Sequence, residues 1–256
     1  MATEHMRSFW NERAREDAYY FVDNRLEYGD PDLEQFWRDG ELDLNRLLSA
    51  LGAEVGRAEI VVDIGCGVGR LTRPLAARAA YVYGIDISSE MIARARRHHL
   101  DLGNVEWIAG DGATLAPLGD ASVDGCVSHV VFQHIPDPEI TFGYIREMGR
   151  VLRPGGWAAF QVSNAPAVHE RRVGFRARMD RVRAATGRHP RGQDDPAWRG
   201  SSVDLADLRE AARSSGLELA RIVGEGTLLC LVLARKACAV DGPRRPDPAR
   251  KGPGLH

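Results

Sequence analysis

A strand-like run that leads into a glycine-rich turn constrains this chain more than any other feature. Residues 60–64 read IVVDI, and the turn that follows carries Gly65, Gly67 and Gly69. A short apolar strand of this kind is typical of a parallel sheet that is covered on both faces. Glycines let the next stretch of backbone turn tightly and approach a ligand without interference from a Cβ atom. The pattern therefore predicts an α/β sheet with a ligand at the end of this strand.

The spacing of the glycines narrows the kind of ligand. A dinucleotide-binding turn needs its third glycine three positions after the second, and Arg70 stands there instead. Asp63, two positions before the turn, is a poor neighbour for a pyrophosphate and a good one for a cationic group. The GxxxxGKS/T sequence of nucleoside triphosphatases does not occur. A cationic ligand is therefore favoured over a nicotinamide dinucleotide or a nucleoside triphosphate.

Further acidic residues stand beside later strands. Asp86 closes the second strand about 20 residues beyond the turn, where a carboxylate is placed to accept the hydroxyls of a ribose. Asp86 has no basic neighbour in sequence, so little structural use is expected for it. Asp111 and Gly112 follow the third strand, and Asp124 opens a fourth that leads to His134. We expect all of these at the carboxyl edge of the sheet, where open α/β folds bind ligands.

The rest of the chain alternates strands with helices, which indicates βαβ units and a doubly wound sheet. The fold class expected is a mostly parallel seven-stranded sheet with a C-terminal antiparallel hairpin strand and an N-terminal helical cap. Further strands are predicted at 81–85, 105–109, 123–131, 157–163, 217–223 and 228–234, and helices from about residue 70, after the caps Ser88 and Asp204, and at 138–152. The domains expected are a cap at 1–52, a Rossmann-like domain at 53–236 with an arginine-rich insertion at 164–200, and a disordered tail at 237–256.

Composition limits the partners. The formal net charge of -2 gives no electrostatic reason to expect nucleic acid, and the apolar stretches are too short for a membrane span. The charged N-terminus lacks a secretory signal core. Four scattered cysteines form no CxxC pair, so neither a disulfide framework nor a metal site is expected. We expect a cytoplasmic protein, and the sequence leaves monomer and homodimer open.

From residue 60 to about 234 the chain resembles the class I, Rossmann-like S-adenosylmethionine-dependent methyltransferases, particularly their small-molecule branch. The resemblance rests on motifs that stand in the expected order: DIGCGVG, GID, GDG, FQHIPDP and EMGRVLRPGGWAAF. It implies S-adenosylmethionine as cofactor and methyl transfer to an O or N atom of a small molecule. The arginine-heavy composition and the N-terminal cap favour bacterial secondary metabolism as the setting. A non-catalytic S-adenosylmethionine-binding protein and a protein-directed methyltransferase remain alternatives.

The resemblance also implies roles for individual residues. Asp63, Gly65 and Gly67 would line the methionine end of the cofactor, Asp86 the ribose, and Asp111 with Gly112 the adenine. Other residues expected at the cofactor are Cys66, Ile87, Met91, Val130, Arg13 and Tyr20. Those expected at the acceptor are Gln133, His134 and Asn164.

His134 is the candidate catalytic residue, since an ordinary histidine pKa suits a general base. The alternative is that it only lines the site. His98 and His99 stand among arginines and are expected on a solvated helix face. In the N-terminal segment, Trp10 and its neighbours either form a lid over the cofactor or pack as ordinary core.

Overall fold

The computed structural model of the chain describes residues 2–170 and 192–238. Most of the predicted arginine-rich insertion, and the predicted tail beyond residue 238, lie outside the described residues. The proposed domain boundaries at 52 and 236 stay predictions.

The described strands form one seven-stranded sheet in the order β3-β2-β1-β4-β5-β7-β6. The strands are β1 (Ile60–Ile64), β2 (Tyr81–Asp86), β3 (Val105–Ala109), β4 (Val123–Ser128), β5 (Leu152–Val162), β6 (Leu217–Val223) and β7 (Cys230–Lys236). Strands β1 to β5 pair in parallel, whereas β7 lies antiparallel between β5 and β6. The predicted fold class is therefore confirmed.

Helices cover both faces of the sheet, and five of the seven described helices begin at a side-chain cap. They are α1 (Ala2–Val22), α2 (Leu33–Leu51), α3 (Thr72–Ala76), α4 (Ser89–His98), α5 (Pro138–Val151), α6 (Pro196–Arg199) and α7 (Leu205–Ser214). The Ser88 hydroxyl accepts from Met91 N, and Asp204 accepts from Ala206 N, as expected of N-caps. None of the helices in the described ranges is long and apolar enough to cross a bilayer.

The core has one apolar layer on each face of the sheet. Successive residues of β1 point to opposite faces, so Val61 packs with α2 through Leu47 while Val62 belongs to the layer that holds Ile145 of α5 and Leu208 of α7. Both layers leave the carboxyl edge of the sheet uncovered, and α1 lies over that edge.

Two expectations about β4 are wrong. The strand ends at Ser128 and not at residue 131, because Val130 adopts a left-handed conformation with φ of 58° that cannot continue a strand. Asp124 does not belong to the carboxyl edge. As the second residue of β4 it lies at the opposite edge, where it accepts from Ile60 N at 2.8 Å and pairs with Arg153.

His99 also contradicts the expectation of a solvated face. Its ring is 2% exposed, stacks on Trp107 with centroids 5.4 Å apart, and bonds the Val68 carbonyl through Nε2. His98, one residue earlier, is exposed. The helix ends at His98, so His99 no longer follows the helical spacing. Its side chain packs beneath residues 65–69, the glycine loop.

The packing of β4 against β5 predicts an overpacking cost at Gly125. A Cβ atom there would lie 2.7 Å from Trp157 Cζ2, so Gly125→Ala should lower the free energy of unfolding by about 1–3 kcal/mol in chemical denaturation. Gly103→Ala is the matched control, since nothing lies within 4 Å of its Cβ position. An equal effect of both substitutions would contradict this account of the sheet.

Candidate functional site

A cavity opens at the carboxyl edge of the sheet, between the ends of β1, β2 and β4 and helix α1. Ten of the residues proposed from sequence line it: Asp63, Gly65, Cys66, Gly67, Asp86, Ile87, Met91, Gly112, Val130 and His134. The remaining wall includes Met6, Trp10, Phe21, Val22, Arg70, His129, Val131 and Tyr144. The functional roles of all these residues stay predictions.

The glycine loop needs its glycines for two reasons. Gly65 and Gly67 have φ of 74° and 55°, which side chains disfavour. A Cβ atom at Gly65 would lie 2.4 Å from Val131 Cγ2, and one at Gly67 2.9 Å from Val22 Cγ2. Neighbouring side chains, and not only a ligand in the cavity, therefore require glycine at these two positions.

Asp86 joins the glycine loop to the start of α4. Its carboxylate accepts from Gly67 N at 2.9 Å and from Ser88 N at 2.8 Å. Burial raises its pKa to about 6, although these two hydrogen bonds act in the opposite direction. The expectation that Asp86 has little structural use is therefore wrong, because it holds two backbone groups in place.

Asp63 is the second carboxylate of the cavity and is 2% exposed, whereas Asp86 is half-buried. It accepts from Thr72 Oγ1 at 2.6 Å, and burial raises its pKa to about 7, with a contribution from the charge of Asp86. Among the described residues, neither carboxylate forms an ion pair. A buried and a half-buried carboxylate without a countercharge favour a ligand that brings positive charge and hydroxyl donors. The residues therefore fit the cofactor that the sequence resemblance implies.

Helix α1 contributes different residues from those expected. Trp10, Phe21 and Val22 line the cavity, whereas Arg13 and Tyr20 do not. Asp17 has non-helical backbone angles, so a helical phase cannot be carried through it from sequence alone.

Arg13 and Tyr20 instead make internal contacts. The Arg13 guanidinium lies 5.3 Å and 5.4 Å from the ring centroids of Phe9 and Phe21 and pairs with Glu16. The Tyr20 ring packs on Phe21 and Tyr28.

An ionic cluster behind the cavity links the glycine loop to the N-terminal helices. Arg70 pairs with Asp23 at 2.9 Å and with Asp43, and Arg25 pairs with the same two carboxylates at 2.6 Å and 2.7 Å. Burial alone raises the pKa of Asp23 and Asp43, but the hydrogen bonds and charges of the arginines outweigh it and lower both. Arg70 was missed as a site residue because its partners are distant in sequence.

His134 is half-buried in the cavity wall that follows β4. Its Nδ1 lies 2.6 Å from the Trp198 carbonyl oxygen and its Nε2 lies 3.1 Å from Gln133 Nε2. Burial lowers its pKa to about 4, so the ring is neutral at physiological pH. Trp10 flanks the ring at a centroid distance of 5.6 Å.

Three other predicted residues lie off the cavity wall. Asp111 caps the turn after β3 through Ala113 N and Thr114. Asn164 donates to the Val203 carbonyl and accepts from Gly226 N, so both of its amide atoms hold backbone. Gln133 is 9% exposed, and its Nε2 lies beside His134 Nε2.

The described residues contain neither a disulfide nor a group of side chains arranged as a metal site. Cys66, Cys126 and Cys230 are buried free thiols, and Cys238 is exposed and free. Within residues 2–170 and 192–238, no group of three His, Cys, Asp or Glu side chains is arranged to hold a metal ion.

The chain is similar in sequence to known methyltransferases. Residues 62–160 match a family model described as a methyltransferase domain. A ubiquinone biosynthesis O-methyltransferase of Thiobacillus denitrificans is 29% identical over 173 residues, which cover 64% of this chain and 66% of that protein. A protein of the same name from Paracidovorax citrulli is 28% identical, covering 64% and 65%. The chain thus spans just under two thirds of the length of these relatives.

Solved structures share the fold. An S-adenosylmethionine-dependent methyltransferase from Mesorhizobium loti superposes with a TM-score of 0.56 at 22% identity, over 75% of this chain and 96% of that one. Phosphoethanolamine N-methyltransferase 1 of Haemonchus contortus gives a TM-score of 0.63 at 16% identity, over 94% and 50%. The matched domain, the sheet order and these superpositions show a Rossmann-like methyltransferase fold; they support a class I S-adenosylmethionine-dependent methyltransferase, and such a domain implies S-adenosylmethionine as the cofactor.

Proposed function

We propose that the protein transfers a methyl group from S-adenosylmethionine to a hydroxyl oxygen of a small molecule. The observation that carries this proposal is the pair of carboxylates Asp63, which is buried, and Asp86, which is half-buried; both line the cavity and neither forms an ion pair among the described residues. The O-methyltransferase names of the relatives favour oxygen over nitrogen.

The acceptor side of the cavity favours a flat aromatic ring. Its wall includes the rings of Trp10, Phe21, His134 and Tyr144. Its cation Arg70 is already paired with two carboxylates. Aromatic rings pack on one another in edge-to-face or offset geometry, so a phenol or catechol suits this wall better than a charged acceptor.

The residues act mainly by placement. Bound S-adenosylmethionine supplies an activated methyl group, and transfer breaks its C–S bond, forms a C–O bond, and releases S-adenosylhomocysteine and the hydroxyl proton. Asp63 and Asp86 orient the donor, and the aromatic wall orients the acceptor for in-line attack, an effect that supplies roughly 7–11 kcal/mol in favourable cases. His134, neutral at Nε2, accepts the hydrogen bond of the acceptor hydroxyl.

Removing the charge of Asp86 tests the cofactor site. Asp86→Asn loses an acceptor for ligand hydroxyls, so we expect the Kd for S-adenosylhomocysteine to rise roughly ten- to hundredfold, as for a lost hydrogen bond to a charged group. Asp124→Asn, at the opposite edge of the same sheet, is the matched control and should keep its affinity. Calorimetric titration measures both, and equal losses would contradict the assignment.

The raised carboxyl pKa values predict proton release on cofactor binding. Near pH 6.5 the free protein holds part of a proton on Asp63 and Asp86, and a cationic ligand favours their ionised forms. Affinity for S-adenosylmethionine should therefore fall as pH drops through about 7 and about 6. Calorimetry in buffers of different ionisation enthalpy should show release that Asp63→Asn reduces. Binding without net proton exchange would refute this electrostatic account.

His134→Ala tests the acceptor side with catechol as the probe and S-adenosylhomocysteine formation as the measurement. We expect kcat to fall about 100-fold, the low end for proton-transfer catalysis, because a pKa of about 4 makes a weak base. The Kd for S-adenosylmethionine should stay within about twofold, since His134 faces the acceptor. His98→Ala, an exposed histidine, is the control. Equal losses of kcat and cofactor affinity in His134→Ala would reject the role.

A further inference from the structure

Two buried glutamines connect His134 to the sheet. Gln161 Oε1 accepts from Val130 N at 2.9 Å, and Gln161 Nε2 lies 3.0 Å from Gln133 Oε1. Gln133 Nε2 in turn lies 3.1 Å from His134 Nε2, and His134 Nδ1 lies 2.6 Å from the Trp198 carbonyl oxygen. These contacts form one continuous chain of hydrogen bonds, the amide chain, from β5 to the cavity wall.

The two ends of the amide chain fix its direction. The backbone N–H of Val130 can only donate, and the carbonyl of Trp198 can only accept. Each amide must therefore present its oxygen toward Val130 and its NH₂ group toward His134. His134 then carries its proton on Nδ1 and a lone pair on Nε2, which agrees with donation to Trp198.

Gln161 is held in this orientation from other sides as well. Its Nε2 also lies 2.5 Å from the Leu228 carbonyl and 3.1 Å from its neighbour's carbonyl at Val162, so the amide nitrogen cannot exchange places with the oxygen. The side chain is 0% exposed. A fully buried amide is costly unless its partners are present, which makes this orientation the stable one.

The same glutamine supports a strained residue of the cavity wall. Val130 has φ of 58°, which a β-branched residue rarely adopts. Such strain persists where the surroundings over-determine the backbone, and it occurs most often at functional sites. The hydrogen bond from Val130 N to Gln161 is one such determinant.

We propose that Gln133 and Gln161 are positioning residues that hold His134 as its neutral Nδ1–H tautomer, with the Nε2 lone pair reserved for the acceptor hydroxyl. This inference rests on the proposed function, because an acceptor hydroxyl is what would use the Nε2 lone pair. Gln133 occupies that lone pair until the hydroxyl displaces it. A donor at Nε2 also disfavours the imidazolium ion, since a protonated Nε2 would face another N–H group.

The other groups around His134 do not set its protonation state; the two glutamine amides do. The rings of Trp10 and Trp198 carry no charge, and the titratable neighbour whose charge acts on His134 is His169. His169 is itself engaged, with Nδ1 at the Arg199 carbonyl and Nε2 at Ser163 Oγ.

The test is ¹⁵N NMR of the His134 ring in the full chain without ligand at pH 7, assigned by loss of its signals in His134→Ala. The wild type should show a protonated Nδ1 and an unprotonated Nε2. In Gln133→Glu the new carboxylate accepts from both Gln161 and His134, so both ring nitrogens should be protonated at pH 7. A wild-type ring protonated on Nε2, or a ring that stays neutral in a folded Gln133→Glu protein, would overturn the proposal.

Two further variants keep the result interpretable. Gln193→Glu makes the same change at an exposed glutamine and should leave the wild-type pattern. Gln133→Met removes the donor without adding an acceptor, so the ring should stay neutral on Nε2; protonation of both nitrogens there would refute the role of the carboxylate. The NMR result does not depend on turnover. If no phenol or catechol is methylated while the ring behaves as expected, the proposed function fails and the positioning role stands.

Discussion

Two carboxylates at one edge of the sheet, the buried Asp63 and the half-buried Asp86, organise the backbone around the cavity. Burial makes an unpaired carboxylate costly, and the chain offsets this with backbone and hydroxyl donors instead of cations. Those donors are Gly67 N, Ser88 N and Thr72 Oγ1, which belong to the glycine loop and the starts of α4 and α3. The hydrogen bonds that fix the local backbone are therefore also those of the proposed cofactor site, which keeps an unbalanced negative charge.

Two other aspartates, which lie behind the cavity, have the opposite electrostatic environment. Asp23 and Asp43 are fully paired with Arg25 and Arg70, which lowers their pKa values while those of Asp63 and Asp86 are raised. Arg70 directly follows the glycine loop, so these ion pairs tie the N-terminal helices to the loop. Asp23 and Asp43 thus neutralise Arg25 and Arg70, and these two arginines do not pair with the carboxylates at the strand ends.

Sequence reasoning succeeded where the determinants are local. Strand β1, the caps Ser88 and Asp204, and the terminal hairpin follow from patterns a few residues long. It failed where a residue's place depends on distant packing. His99 is drawn under the loop by Trp107, and Asp124 meets the start of a neighbouring strand. The break at Asp17 changes which residues of α1 face the cavity, and no pattern in the sequence announces it.

This difference separates the two halves of the cavity. The proposed cofactor half is built from strand ends and the turns that follow them, so a short motif predicts it, and it lies within the matched domain. The proposed acceptor half brings Trp10, His134 and Trp198 together from three distant parts of the chain. A substitution in any one of them changes the shape of the acceptor side while the carboxylates stay in place. Under the proposed function, such a substitution changes which acceptor fits and leaves the donor side intact.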